Sequence, residues 1–139
     1  MNRFFLLSLV SLFYALPAAG QEEGPAYYIK SIFFGGGSSY IDEQQVKELY
    51  EFIDEIPGIE NMEILIQSHT DNIGSLEYNQ WLSRMRSESA YQKLLEKGIE
   101  PEMMLIEDYG EQNPYFDNQT WEGKLKNRRV DVIIRPLIL

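Results

Sequence analysis

The sequence predicts an α/β domain built as an α+β sandwich. The expected order is β-α-β-α-β-β, with a mixed four-stranded sheet carrying two main helices on one face. Three observations predict it. Short runs of aromatic and β-branched residues alternate with two long stretches whose apolar residues recur at helical spacing. Each helical stretch opens on a capping residue and closes on glycine or Pro-Gly. The chain has neither an internal repeat nor a low-complexity linker, so a single domain accounts for its 139 residues.

The elements follow in order. Residues 1–20 place Arg3 before an apolar run over 4–16, then Pro17 and the small residues Ala18, Ala19 and Gly20. This is the layout of a secretory signal peptide cut after Gly20. The apolar run is shorter than the roughly 20 residues a membrane-spanning helix needs. Residues 21–26 form a short polar tail, and 27–139 the domain. YYIKSIFF (27–34) reads as a strand and GGGSS (35–39) as a loop. Ile41, Val46, Leu49, Tyr50, Phe52, Ile53 and Ile56 recur at helical spacing over about 42–55, with Asp42 as N-cap and Pro57-Gly58 as the stop. MEILIQS (62–68) alternates as a strand buried on one face and partly on the other. A second helix is predicted over about 75–97, with Gly98 as its left-handed C-cap. Residues 103–108 give a short strand, 109–123 a long loop, 124–127 one further helical turn, and 130–135 the last strand.

Composition closes off several kinds of function. The net charge is −10, and −11 once the leader with Arg3 is removed, which disfavours nucleic acid and anionic lipid as partners. The absence of cysteine excludes disulfides, thiolate metal sites, thiol catalysis and lipidation at cysteine. His69 is the only histidine, with no HExxH, no cysteine to join it at a metal and no G-x-S-x-G nucleophile. It reads as a strand-end imidazole bonded to the next turn. Gly35–Gly37 lacks G-x-G-x-x-G and G-K-[ST], so it reads as a permissive turn, with exposed backbone N–H groups as the functional alternative. Catalytic residues, metal and cofactor are all expected to be none.

The stretch SHTDNIGSLEYNQWLSRMR (68–86) carries more. Asn79 and Arg86 lie seven residues apart on one helix face, with Leu82, Ala90 and Leu94 on the same stripe, while Arg84 points to water. A guanidinium at the edge of an apolar face needs a carboxylate. Asp71 is the nearest, either as a structural bridge to Arg86 or as its partner across a ligand. Gly74-Ser75 opens the helix there, so free N–H groups and the positive dipole end face the Asp71 turn. Asp71 suits an ammonium and Arg86 a carboxylate. Together they describe an amino-acid headgroup.

The same stretch resembles the motif of OmpA-like C-terminal domains, G-H-T-D-x-x-G-s-x-x-Y-N-x-x-L-S-x-x-R-A. YGEQNP (109–114) is similar to that family's G-y-G-E-x-x-P, and NQTWEGKLKNRRVDVII (118–134) to its N-x-t-x-e-G-r-x-x-N-R-R-V ending. IFFGGGSS stands where the family has its opening strand and loop. The resemblance implies noncovalent binding of peptidoglycan through the diaminopimelate of its stem peptide. It implies Asp71 on the ligand's ammonium and Arg86 on its carboxylate. Thr70 and Asn79 fall beside them in the motif, and Asn127 and Arg128 border the site. Ser68, Ser87, Lys124 and Gly35 depart from the family pattern. The resulting expectation is a periplasmic protein, associated with peptidoglycan or the outer membrane of a Gram-negative-type envelope, without a transmembrane span in the mature chain. The alternative is an adaptor that kept the fold and recruits an outer-membrane or periplasmic protein partner.

Overall fold

The computed structural model describes residues 26–137. The leader expected over 1–20 and the tail up to residue 25 lie outside them. Seven elements follow one another: β1 (Tyr28–Phe33), α1 (Glu43–Asp54), β2 (Met62–Ser68), α2 (Leu76–Lys97), β3 (Met104–Asp108), α3 (Trp121–Asn127) and β4 (Arg129–Pro136). The strands lie in the order β1-β4-β2-β3. β4 runs antiparallel to both β1 and β2, while β2 and β3 are parallel, with α2 in the connection between them. The expected mixed four-stranded α/β architecture is therefore the one observed.

The register shows why one face carries the helices. Tyr28, Ile134, Ile64 and Met104 form one row across the sheet, and Ile32, Val130, Ser68 and Asp108 another. From these rows, and from the Ile66–Val132 pair between them, Ile32, Ile64, Ile66, Val130, Val132 and Ile134 project into a core shared with Leu49 and Ile53 of α1 and Ala90 and Leu94 of α2. Ile64 and Ile66 have no accessible surface because β2 is an inner strand lying under a helix. Burial of such side chains is the main favourable term, about 25 cal/mol per Å² of apolar surface.

Local chemistry fixes the helix ends. Asp42 caps α1 by accepting from the Gln45 N–H, and Ser75 caps α2 by accepting from the Tyr78 N–H. Gly98 ends α2 in the left-handed region. α3 begins three residues before the predicted turn, because Thr120 accepts from the Gly123 N–H and so caps a helix that opens at Trp121. Asn127 then locks the preceding loop. It accepts from Phe116 N–H and donates to the Phe116 carbonyl and to Asn118. No helix among the described residues is long and apolar enough to cross a membrane.

Gly123 is needed for space. A methyl group there would drive into the Asp117 carbonyl, with Thr120 Oγ1 only 2.9 Å away. Gly123→Ala is expected to destabilise the protein by about 2–3 kcal/mol, the cost of forced overpacking against backbone. A lowered urea midpoint would check this.

Candidate functional site

Four of the six residues singled out in the sequence converge on one small pocket of about 150 Å³. Asp71, Asn79, Arg86 and Arg128 line it, together with Gly36, Gly37, Ile73, Tyr78 and Leu82. The pocket lies where the end of β2, the start of α2, the glycine loop after β1 and the junction of α3 with β4 meet. Gly74 permits the approach. Its φ is +102°, and a side chain there would press on the Tyr78 ring at 3.0 Å.

Arg86 is the largest fully buried side chain, 1% exposed. Its Nε donates to the Ser38 carbonyl at 2.8 Å, one Nη to the His69 carbonyl at 3.1 Å, and the other Nη to the Gly35 carbonyl at 3.0 Å. The Phe34 ring lies 5.0 Å from its guanidinium carbon. The partners are dipoles rather than charges, so no carboxylate neutralises this cation by direct contact. Burial lowers its pKa to about 10, against an opposing pull from Asp71, so it remains charged at neutral pH. One N–H on each Nη is left over.

Asp71 does not pair with Arg86. Its Oδ2 accepts from Arg128 Nε at 2.6 Å, and its Oδ1 from the Ile73 N–H at 3.0 Å. Both side chains of the Asp71–Arg128 pair are about nine-tenths buried. The Arg128 guanidinium is packed between the Trp121 ring, 5.0 Å away, and the backbone at Gly36. The structural bridge considered for Arg86 therefore exists with a different arginine, 57 positions from Asp71. The pocket holds one carboxylate and two guanidiniums, a surplus of positive charge that favours an incoming carboxylate. Asp71 retains unused lone pairs for a donor.

Asn79 donates from Nδ2 to Glu111 at 2.7 Å, which fixes the loop after β3 against α2. Thr70 and Asn127 do not line the pocket. Thr70 donates its hydroxyl to the Asp71 carbonyl, and its N–H to the Gly110 carbonyl at 2.7 Å. Asn127 holds the loop around Phe116, as described above. The glycine run turns out to present the Gly35 carbonyl to Arg86 and to form one wall through Gly36 and Gly37. Tyr78, Ile73 and Trp121 were not foreseen. Their signal was adjacency, to Asn79, to Gly74 and to the EG that opens α3.

Two of the departures meet at one carboxylate. The Ser68 and Ser87 hydroxyls both donate to Asp108 Oδ1, at 2.9 and 2.5 Å, tying β2, β3 and α2 together beneath the site. Lys124 bonds Asn72 in the turn beside the pocket. Among the described residues no group of three His, Asp or Glu side chains is placed to hold a metal.

His69 differs from expectation. Its N–H donates to the Arg129 carbonyl at 2.8 Å, extending the sheet, but its side chain makes no bond to the next turn. The ring stacks on Tyr109 with centroids 5.3 Å apart, because the loop after β3 folds back over it. Nδ1 is buried without a partner, and Nε2 lies 3.9 Å from Asp131. Burial, reinforced by the Arg129 charge, pushes its pKa down to about 4. The unfolded chain takes up a proton near pH 6.5 that the folded imidazole refuses until about 4, so stability falls as pH falls through that window. The fall is expected to be about 3 kcal/mol. His69→Phe keeps the stack on Tyr109 and should remove this component. Urea midpoints at neutral pH and near pH 4 would show it as a smaller difference in the variant.

Residues 33–128 match the model of the OmpA family. The outer membrane protein A of Bordetella avium is 32% identical over 126 residues, 86% of this chain and 65% of the relative. The outer membrane porin F of Pseudomonas fluorescens is 38% identical over 89 residues, 64% of this chain and 26% of the relative. This chain thus spans less than two thirds of either. The crystal structure of the peptidoglycan-associated lipoprotein from Burkholderia pseudomallei superposes with a TM-score of 0.69 at 26% identity, covering 75% of this chain and 88% of that one. The matched segment includes Asp71, Asn79, Arg86 and Arg128 and covers β2, β3 and all three helices. The chain belongs to the OmpA family.

Proposed function

We propose that this chain binds peptidoglycan noncovalently in the periplasm, by holding the free amino-acid headgroup of a diaminopimelate-type residue in the pocket between Asp71 and Arg86. The single observation that supports it most is the buried Arg86 cation, held by three carbonyls and no carboxylate, with an N–H left on each Nη. Two parallel N–H groups match the two oxygens of a carboxylate. Asp71, oriented by Arg128 and the Ile73 N–H, offers its remaining lone pairs to the ammonium on the same carbon. The pocket volume of about 150 Å³ suits a headgroup rather than a sugar or a peptide. The peptidoglycan-associated lipoprotein of Burkholderia pseudomallei, whose name carries that association, has the same fold. The proposed role is binding without bond cleavage.

Co-sedimentation with purified sacculi tests the proposal. The protein should pellet with sacculi and be displaced by free diaminopimelate, whereas Asp71→Asn should stay in the supernatant. Equal sedimentation of the variant would rule the pocket out.

A further inference from the structure

A groove of about 530 Å³ lies between α1 and α2, separate from the pocket. Its floor is apolar, formed by Ile41, Val46 and Met85, and Tyr40 stands at its edge with 72% of its surface exposed. Its rim carries Glu43, Glu88 and Glu96 against one lysine, Lys93, which is itself paired to Glu96 at 3.1 Å. Glu43 and Glu88 have no basic partner among the described residues. One turn beyond Val46 the helices are bridged by the Tyr50 hydroxyl donating to the Lys93 carbonyl at 2.8 Å, which holds the groove's walls in place.

We propose that this groove docks a cationic amphipathic helix of a partner protein, an apolar anchor entering between α1 and α2 with lysine or arginine on either side. Two helices flanking an apolar channel suit a third helix laid between them. Methionine at the floor adapts to anchors of different shape. The unpaired rim carboxylates supply the complementary charge and steer the approach. A second copy of this chain is opposed by the same terms, since it brings another −10. The inference stands independently of the pocket.

The test uses the isotope-labelled protein and two synthetic probes, an amphipathic Leu/Lys helix and a Leu/Glu helix of the same pattern. The Leu/Lys helix should shift amide resonances within 39–46 and 85–96 saturably, and the Leu/Glu helix should not. Glu43→Lys with Glu88→Lys should weaken the affinity at least about tenfold. Glu60→Lys with Glu102→Lys, an equal change of charge on exposed residues outside the groove, should alter it by less than about threefold. Met85→Glu should weaken it without altering the fold. The proposal is overturned if the shifts scatter over the surface, if both double variants weaken binding alike, if the Leu/Glu helix binds as well, or if the groove resonances respond only to protein concentration, as a second copy would make them do.

Discussion

Arg86→Met should abolish binding to peptidoglycan and also destabilise the fold. The carbonyls of Ser38 and His69 lose their Arg86 donors together, and that of Gly35 keeps only the Ser38 N–H at 3.2 Å. A buried acceptor left unsatisfied costs about 1–3 kcal/mol. Methionine fills much of the same volume and spares the desolvation of a cation, which offsets part of that loss. A net destabilisation of about 2–5 kcal/mol is expected, read as a shift in urea midpoint. Ligand affinity should fall at least about thirtyfold, since truncating one partner of a buried charge pair costs about 2–5 kcal/mol. Arg86→Lys should not rescue it. A single ammonium cannot reach three carbonyls spread around a planar fork and still offer two parallel donors to a carboxylate. A variant that kept its stability would show that the Ser38 and His69 carbonyls find other donors. One that kept its affinity would place the ligand elsewhere.

Asp71→Asn separates charge from shape. The amide oxygen can still accept the Ile73 N–H, so the turn before α2 should survive. Arg128 loses its counter-charge at a site where both side chains are about nine-tenths buried. Breaking such a pair costs about 3 kcal/mol or somewhat more. The stack of Arg128 on Trp121 remains and should keep the loss at the lower end. Adding Arg128→Gln should then cost little more, because the charge it removes is already unpaired. A double-mutant cycle should therefore return a coupling above about 1.5 kcal/mol. Binding should be lost in both variants. Additive losses would mean that Asp71 and Arg128 act separately in solution.

Much of this was legible in the sequence where local chemistry decides. Asp42, Ser75 and Gly98 cap their helices as their types and positions predict. The face shared by Asn79, Leu82, Arg86, Ala90 and Leu94 is buried as helical spacing requires. What stayed hidden depended on distant partners. Strand periodicity showed that residues 130–135 alternate, but not that β4 inserts between β1 and β2, because pairing order is a long-range choice. Asp71 and Arg86 were seen as a pair because they are near in sequence. The observed partner, Arg128, reaches Asp71 only once β4 is placed beside β2. Thr120 was lost in a loop-like composition, although its hydroxyl starts α3. His69 was expected to bond the next turn. It instead stacks on Tyr109, since the loop after β3 is pinned to α2 by Gly110 N–H donating to Ser83. Asn127 came from the family motif as a border of the site. Its hydrogen bonds place it in the loop that carries Trp121 and Arg128, one step behind the pocket.

The pocket differs from a simple ion-pair trap in one respect that matters for specificity. Both of its negative-accepting groups are arginines, and its only carboxylate is already half used. A ligand with an ammonium alone adds a third cation to the site, whereas one with ammonium and carboxylate on the same carbon adds no net charge and satisfies both Arg86 and Asp71. The proposed recognition therefore turns on the ligand's carboxylate more than on its amine.

Calorimetric titration with soluble stem peptides tests this most directly. Two peptides should be compared, identical except for diaminopimelate or lysine at the third position, so that only the side-chain carboxylate differs. The diaminopimelate peptide should bind saturably with one site per chain. The lysine peptide should bind at least about tenfold more weakly, and the difference should vanish in Arg86→Met. Equal binding of the two peptides, or an undiminished preference in Arg86→Met, would contradict the assignment of the headgroup to Asp71 and Arg86.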